Sequence, residues 1–244
     1  MSYISKRGDE AAKSAQQEST DYSKLLTSLK SGDTIKVRLL TSKDFVEYFA
    51  ASVYKVFYTT PVTPGNLYQK ACDVLYKEAK EVRDSDEKLS KELSDKAYSL
   101  KPKARYLFAF IDLDSGEPII VDLTKNQAQS VITSITKYEK RIGKLAFELS
   151  KTGSGTSTAV TLSPVIDMEE DLTDKERENF NKPKVDEIAD ELFENALVLK
   201  SHDEQVADLV AFGFDVSKLG IEGDDVKPIE SDGGVEIQDD DLPF

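Results

Sequence analysis

The stretch RYLFAFIDLDSGEPIIVDL, residues 105–123, decides the fold of this chain. Its first ten residues alternate aromatic and aliphatic side chains without a helical spacing, which indicates a β-strand. SGEP supplies the Gly and Pro of a turn, and IIVDL returns as a second strand rich in β-branched residues. The segment therefore predicts a β-hairpin.

Further short strands are predicted on both sides of this hairpin. TIKVRLL (34–40) alternates apolar and basic residues, and FVEYFAASVYKVFYTT (45–60) is dense in aromatic and β-branched side chains. KLAFELS (144–150) and STAVTLSP (157–164) form another predicted pair around the flexible tip KTGSGT. The chain thus carries roughly five or six short strands.

Helices are predicted between some of these strands. Residues 67–82 repeat apolar side chains with period 3.6, and residues 83–98 continue as a more polar helix. A further helix is predicted over 124–141, with Thr124 as its N-cap. Short strands with inserted helices predict a mainly β, α+β fold: a partly open OB-like barrel over 31–166, with a helical insertion at about 67–100. A ferredoxin-like sandwich is the competing architecture.

Charge divides the chain into two unequal parts. Residues 167–244 hold 7 Lys and Arg against 25 Asp and Glu, whereas residues 1–166 hold 25 against 21. The net charge of −14 therefore combines a body of +4 with an acidic part of −18. Such asymmetry is typical of proteins that contact nucleic acid or carry an acidic interaction tail. We predict an N-terminal arm (1–30), an acidic helical region (167–220) and a disordered acidic tail (221–244).

Signals for catalysis, metal binding and membrane insertion are weak. One cysteine, Cys72, and one histidine, His202, cannot form a disulfide or a Cys/His zinc site within the chain. The loop GSGTST lacks the ending of a phosphate-binding loop, and no apolar run reaches the roughly 18 residues of a membrane span. We therefore predict a cytoplasmic protein without enzymatic activity, cofactor, metal or membrane contact.

Cations and aromatic rings are interleaved on the predicted strands. A binder of single-stranded nucleic acid needs cations along the phosphates and flat rings on which bases stack. Each aromatic taken alone fits a buried core equally well, and it is the joint pattern that favours nucleic-acid binding. The candidate DNA-binding residues are Lys36, Arg38, Tyr48, Tyr54, Lys55, Phe57, Tyr58, Lys101, Lys103, Arg105, Tyr106, Phe108 and Lys151.

The sequence ends in QDDDLPF, residues 238–244. This end resembles the C-terminal tail of bacterial single-stranded DNA-binding proteins, in which acidic residues precede a short apolar Pro-Phe tip and an Ile is more usual than Leu242. In that family the tip docks on replication, repair and recombination enzymes. An apolar residue at the tip can fill a pocket of the partner, and the neighbouring acidic residues speed its encounter with a basic partner. The resemblance assigns partner binding to Asp239, Asp240, Asp241, Leu242, Pro243 and Phe244.

The body resembles phage single-stranded DNA-binding proteins, which have a basic N-terminal arm, an OB-type core and an acidic C-terminal region. The segments IKVRLL, KPKARYLFAFIDLDSGEPIIVDLTKNQA and the strand pair around KTGSGT carry this resemblance. It implies a protein of the host cytoplasm that coats exposed strands during replication, recombination and repair, recruits enzymes and self-associates on DNA. The zinc bound by the T-even phage member has no ligand set here.

Other functions fit parts of the sequence. A recombination mediator or replication assembly adaptor would use the amphipathic segment 185–198 as its main contact with protein. An acidic DNA mimic would place residues 167–244 in the DNA site of a partner. A nuclease built on clustered carboxylates is the weakest interpretation.

Overall fold

Seven strands form one antiparallel sheet in the computed structural model, which describes residues 26–221. The strands are β1 (Thr34–Arg38), β2 (Phe45–Val53), β3 (Phe57–Pro61), β4 (Lys103–Asp112), β5 (Pro118–Thr124), β6 (Phe147–Thr152) and β7 (Ala159–Pro164). They pair in the order β3-β2-β4-β1-β6-β7, and β5 pairs with β4. The sheet curls into a half-barrel, so the predicted α+β class is confirmed.

Helices lie within and after this sheet along the chain. The described residues form α1 (Leu67–Val82), α2 (Glu87–Leu100), α3 (Lys125–Lys137), α4 (Met168–Asp171), α5 (Asp174–Asn181), α6 (Asp190–Ala196) and α7 (His202–Ala211). The first three agree with the predicted helices, and Thr124 is the N-cap of α3, where its backbone N–H donates to Gln127 Oε1 at 3.0 Å. None of the helices between residues 26 and 221 is long and apolar enough to cross a membrane.

The predicted hairpin of residues 105–123 is confirmed, and its first strand lies at the centre of the sheet. β4 pairs with β5 on one side and with β2 and β1 on the other. Both faces of β4 are buried: Phe108 and Phe110 pack against α3 and β6, while Leu107 and Ala109 pack with Phe193 of α6. A strand covered on both faces is apolar throughout, which explains the strength of its sequence pattern.

The second predicted strand is two strands in the structure. Residues 45–60 turn at Tyr54 and Lys55, and β3 returns alongside β2 with a register shift between Ala51 and Val53. Lys55 has φ of +59°, which among the described residues is otherwise adopted by glycines. No glycine, proline or asparagine marks this turn, so the sequence contains no signal for it.

The acidic region packs onto the body through apolar side chains. Phe180 of α5 joins a buried cluster with Leu113 and Val165, and Leu209 of α7 packs against Tyr68 of α1. The Tyr68 hydroxyl donates to Asp208 at 2.5 Å, and Lys200 Nζ lies 2.7 Å from the same carboxylate. The change in composition at residue 167 is therefore not a break in packing.

The amphipathic segment 185–198 is also used inside the chain. Ile188, Leu192, Phe193 and Leu197 belong to the cluster that covers the outer face of β4 and β5. Before the first strand, Leu26 forms a parallel bridge with Ile120, and the rest of the predicted N-terminal arm lies mainly outside the described residues.

Candidate nucleic-acid interface

A basic cleft opens where β4 begins, next to the end of α2 and the start of α3. Its cavity volume is about 520 Å³. Among residues 26–221, four cations line it, Lys101, Lys103, Arg105 and Lys125, and no Asp or Glu does. In a chain with a net charge of −14, a cleft lined by four cations is a local region of positive potential.

Three of these cations are available to a ligand. Lys101, Lys103 and Lys125 are exposed and form no ion pair within residues 26–221. Lys103 Nζ lies 4.7 Å from the centroid of the Tyr98 ring, a cation–π contact. The first turn of α3 contributes Asn126 to the cleft, and the positive end of the helix dipole adds to the potential there.

Tyr98 supplies an exposed aromatic ring at the cleft. The residue is 59% exposed, and it stands on α2 outside the buried stripe formed by Ser90, Ala97 and Leu100. Phe49, 52% exposed, is paired directly with Ala104 of the cleft wall, so the two side chains share one face of the sheet. Neither ring is among the residues predicted to bind DNA. The sequence signal for Tyr98 is an aromatic residue that lies outside the apolar stripe of a polar helix.

Arg105 differs from the other cleft cations because it is buried in an ion pair. Its Nε and Nη2 lie 3.0 Å from the Asp122 carboxylate, and the two side chains are only 12% and 7% exposed. Burial disfavours the charged guanidinium, but Asp122 and Tyr48 offset this and raise the Arg105 pKa above its ordinary value. Burial, together with Asp122, raises the pKa of the Tyr48 hydroxyl. Tyr48 and Arg105, both predicted to contact DNA, join β2, β4 and β5 through Asp122, and Arg105 also lines the cleft, so their contact with DNA stays a prediction.

The predicted basic face of β1 is covered by the acidic region. Lys36 Nζ lies 3.2 Å from Glu176 Oε2 and also donates to the backbone carbonyl of Asp171. The Arg38 guanidinium stands 4.8 Å from the Phe180 ring centroid and donates to the Phe180 carbonyl. Burial lowers the Arg38 pKa, although the charge of Asp186 acts against this. In this structure neither cation is open to a DNA phosphate, because Lys36 holds α4 and α5 against the sheet and Arg38 holds α5.

Three other candidates are buried. Phe108 is 0% exposed within the core cluster under the curled sheet, and Phe57, 7% exposed, stacks on Tyr68 with a centroid distance of 5.0 Å. Lys151 is 8% exposed and lines a small cavity beside Leu29 and Val160. Base stacking needs an open ring face, so the roles predicted for both phenylalanines are corrected to core packing. Lys151, on β6, is buried beside this cavity, so its predicted contact with DNA stays a prediction that its burial does not favour.

The remaining candidates stay at the surface outside the cleft lining. Tyr54, Lys55 and Tyr58 are exposed around the β2–β3 turn, and Lys55 Nζ lies 4.9 Å from the Tyr54 ring centroid. Tyr106 is half-buried and its hydroxyl donates to Glu47 at 3.1 Å. Of the thirteen predicted residues, the cleft brings together Lys101, Lys103 and Arg105.

The partner-binding residues 239–244 lie outside the described residues, so their role stays a prediction. No protein-family model matches the chain, and no curated protein matches it. The interpretation of the site therefore depends on its geometry and charge.

Proposed function

We propose that this chain is a single-stranded DNA-binding protein without enzymatic activity, built on an OB-like barrel. The carboxylate-free cleft of Lys101, Lys103 and Lys125 is the observation that carries the proposal. Ammonium groups with no carboxylate partner among residues 26–221 can pair with phosphates without breaking an ion pair of that part of the chain. Binding also releases the counterions condensed on the nucleic acid.

The aromatic rings favour a single strand over a duplex. Tyr98 and Phe49 are open to solvent at or beside the cleft, where an unpaired base can lie flat on a ring. In a duplex the base faces are already stacked and cannot be reached this way. In this role the protein coats exposed strands during replication, recombination or repair, and residues 239–244 recruit partner enzymes. The adaptor alternative loses support because the apolar side of segment 185–198 packs within the chain.

Binding to oligo-dT is expected to weaken steeply with salt. Each phosphate contact with a single strand contributes about −0.7 to the slope of log K against log salt, so three lysines predict a slope of about −2. Titration of labelled oligo-dT, followed by fluorescence anisotropy at several salt concentrations, measures this slope. Undetectable binding in dilute buffer, or binding independent of salt, overturns the proposed function.

Replacing Tyr98 with alanine is expected to weaken oligo-dT binding about fivefold. Stacking contributes about 1–3 kcal/mol per base, and the low end applies because Lys103 already covers part of the ring. The matched control is Tyr98→Phe, which keeps the ring and loses only the hydroxyl, and it should bind like the wild type. Equal losses in the two variants would contradict a stacking role.

A further inference from the structure

A second basic cluster lies at the opposite end of α3 from the cleft. Lys137, Lys140, Arg141 and Lys144 are all exposed, and none forms an ion pair within residues 26–221. A tight turn holds them together, with Arg141 N donating to Tyr138 O at 2.8 Å and Lys144 N donating to Arg141 O at 3.0 Å. Lys137 Nζ lies 5.1 Å from the Tyr138 ring centroid, so a half-buried aromatic ring accompanies the cations.

The exposed face of α3 connects this cluster with the cleft. Its solvent-facing residues recur three or four positions apart and therefore form one continuous stripe. They are Lys125, Asn126, Gln129, Ser130, Thr133, Thr136 and Lys137. The stripe carries cations at both ends and neutral polar side chains between them.

Among the α-helices of residues 26–221, only α3 contains no Asp or Glu. Acidic residues make up 46 of the 244 positions, yet none occurs from Leu123 to Tyr138, and Glu139 is the single carboxylate between there and Phe147. A helix surface without carboxylates does not repel phosphates. The charge pattern thus matches an extended polyanion that crosses the helix.

We propose that a bound single strand leaves the cleft, crosses the exposed face of α3 and ends on the cluster of Lys137, Lys140, Arg141 and Lys144. This inference rests on the proposed function and extends its site. The thirteen residues of α3 span about 20 Å, so a strand must be longer than the cleft to reach both ends. Short oligonucleotides therefore contact only the cleft, whereas longer ones also contact the second cluster.

The double variant Lys140→Ala with Lys144→Ala tests this path in the full-length protein. With oligo-dT of about 16 nucleotides, we expect the salt slope to fall by about 1.4 and the affinity at 0.1 M salt to fall about 25-fold. With oligo-dT of about 3 nucleotides, which is too short to span α3 and is measured by competition at low salt, we expect the wild-type affinity. The matched control, Lys77→Ala with Lys80→Ala, removes two exposed lysines of α1 and should leave both affinities unchanged.

The outcomes separate this inference from the proposed function. If Lys140→Ala with Lys144→Ala lowers the affinity for the long oligonucleotide no more than the α1 control does, the proposed path is wrong, but binding in the cleft is not contradicted. Equal losses for the short and long oligonucleotides also overturn the path, because the cluster would then belong to the cleft. If the wild type binds neither oligonucleotide, the proposed function itself fails.

Discussion

Replacing Lys101, Lys103 and Lys125 together with alanine is expected to lower the affinity for oligo-dT about 100-fold at 0.1 M salt. Each phosphate contact gives a salt exponent of about −0.7. At 0.1 M salt, relative to 1 M salt, this exponent corresponds to a factor of about 5 in the binding constant for each lysine. The slope of log K against log salt should fall by about 2 at the same time. Fluorescence anisotropy with one labelled oligonucleotide at several salt concentrations measures both quantities.

The matched control removes the same charge elsewhere. Lys77, Lys80 and Arg83 are exposed at the other end of the α1–α2 hairpin, and their alanine variant should bind like the wild type. Circular dichroism should show that both triple variants remain folded, since all the altered residues are exposed. If the two variants lose the same affinity, overall charge rather than the cleft governs binding, and the assignment of the site is wrong.

Replacing Asp122 with asparagine is expected to lower the free energy of unfolding by about 3–5 kcal/mol. Removing one partner of a buried ion pair leaves the other charge uncompensated in a medium of low polarity. Arg105 would be that charge, and the Tyr48 hydroxyl would lose an acceptor in the same place. Denaturant unfolding, followed by circular dichroism because the chain has no tryptophan, measures the loss.

Asp114→Asn is the matched control for this substitution. Lys175 Nζ lies 3.0 Å from Asp114 Oδ1, the same distance as in the Arg105–Asp122 pair, but the two side chains are 65% and 82% exposed. Water already screens this pair, so its loss should change the free energy of unfolding little. Equal stability losses in the two variants would show that burial of the Arg105–Asp122 pair is not what makes it important.

Local patterns in the sequence were sufficient for most secondary structure. The strand of Phe108 and Phe110, its partner strand and the helix that begins after Thr124 were all predicted, because alternation, helical period and capping act over a few residues. The turn at Lys55 was missed because a lysine with positive φ carries no local signal and is held in place by the pairing of β2 with β3.

The cleft could be predicted only in part. Lys101 and Lys103 were identified from their position before an aromatic strand, whereas Tyr98 and Lys125 reach the same cleft from two helices whose sequences contain no shared motif. The basic stretch KPKAR can be recognised in the sequence. The sequence does not show, however, that its Arg105 forms a buried ion pair with Asp122, seventeen residues away.

The sequence by itself determined the strands and helices of the body, the position of the acidic region and the supply of cations and aromatic rings. Only the tertiary structure decided which of these groups remain free. Lys36 and Lys103 look alike in the sequence, yet one lies against Glu176, 140 residues further along the chain, and the other lies open in the cleft. The physical reason is that secondary structure follows from neighbouring residues, whereas the availability of a charge depends on contacts through space, which chain folding brings together across any separation.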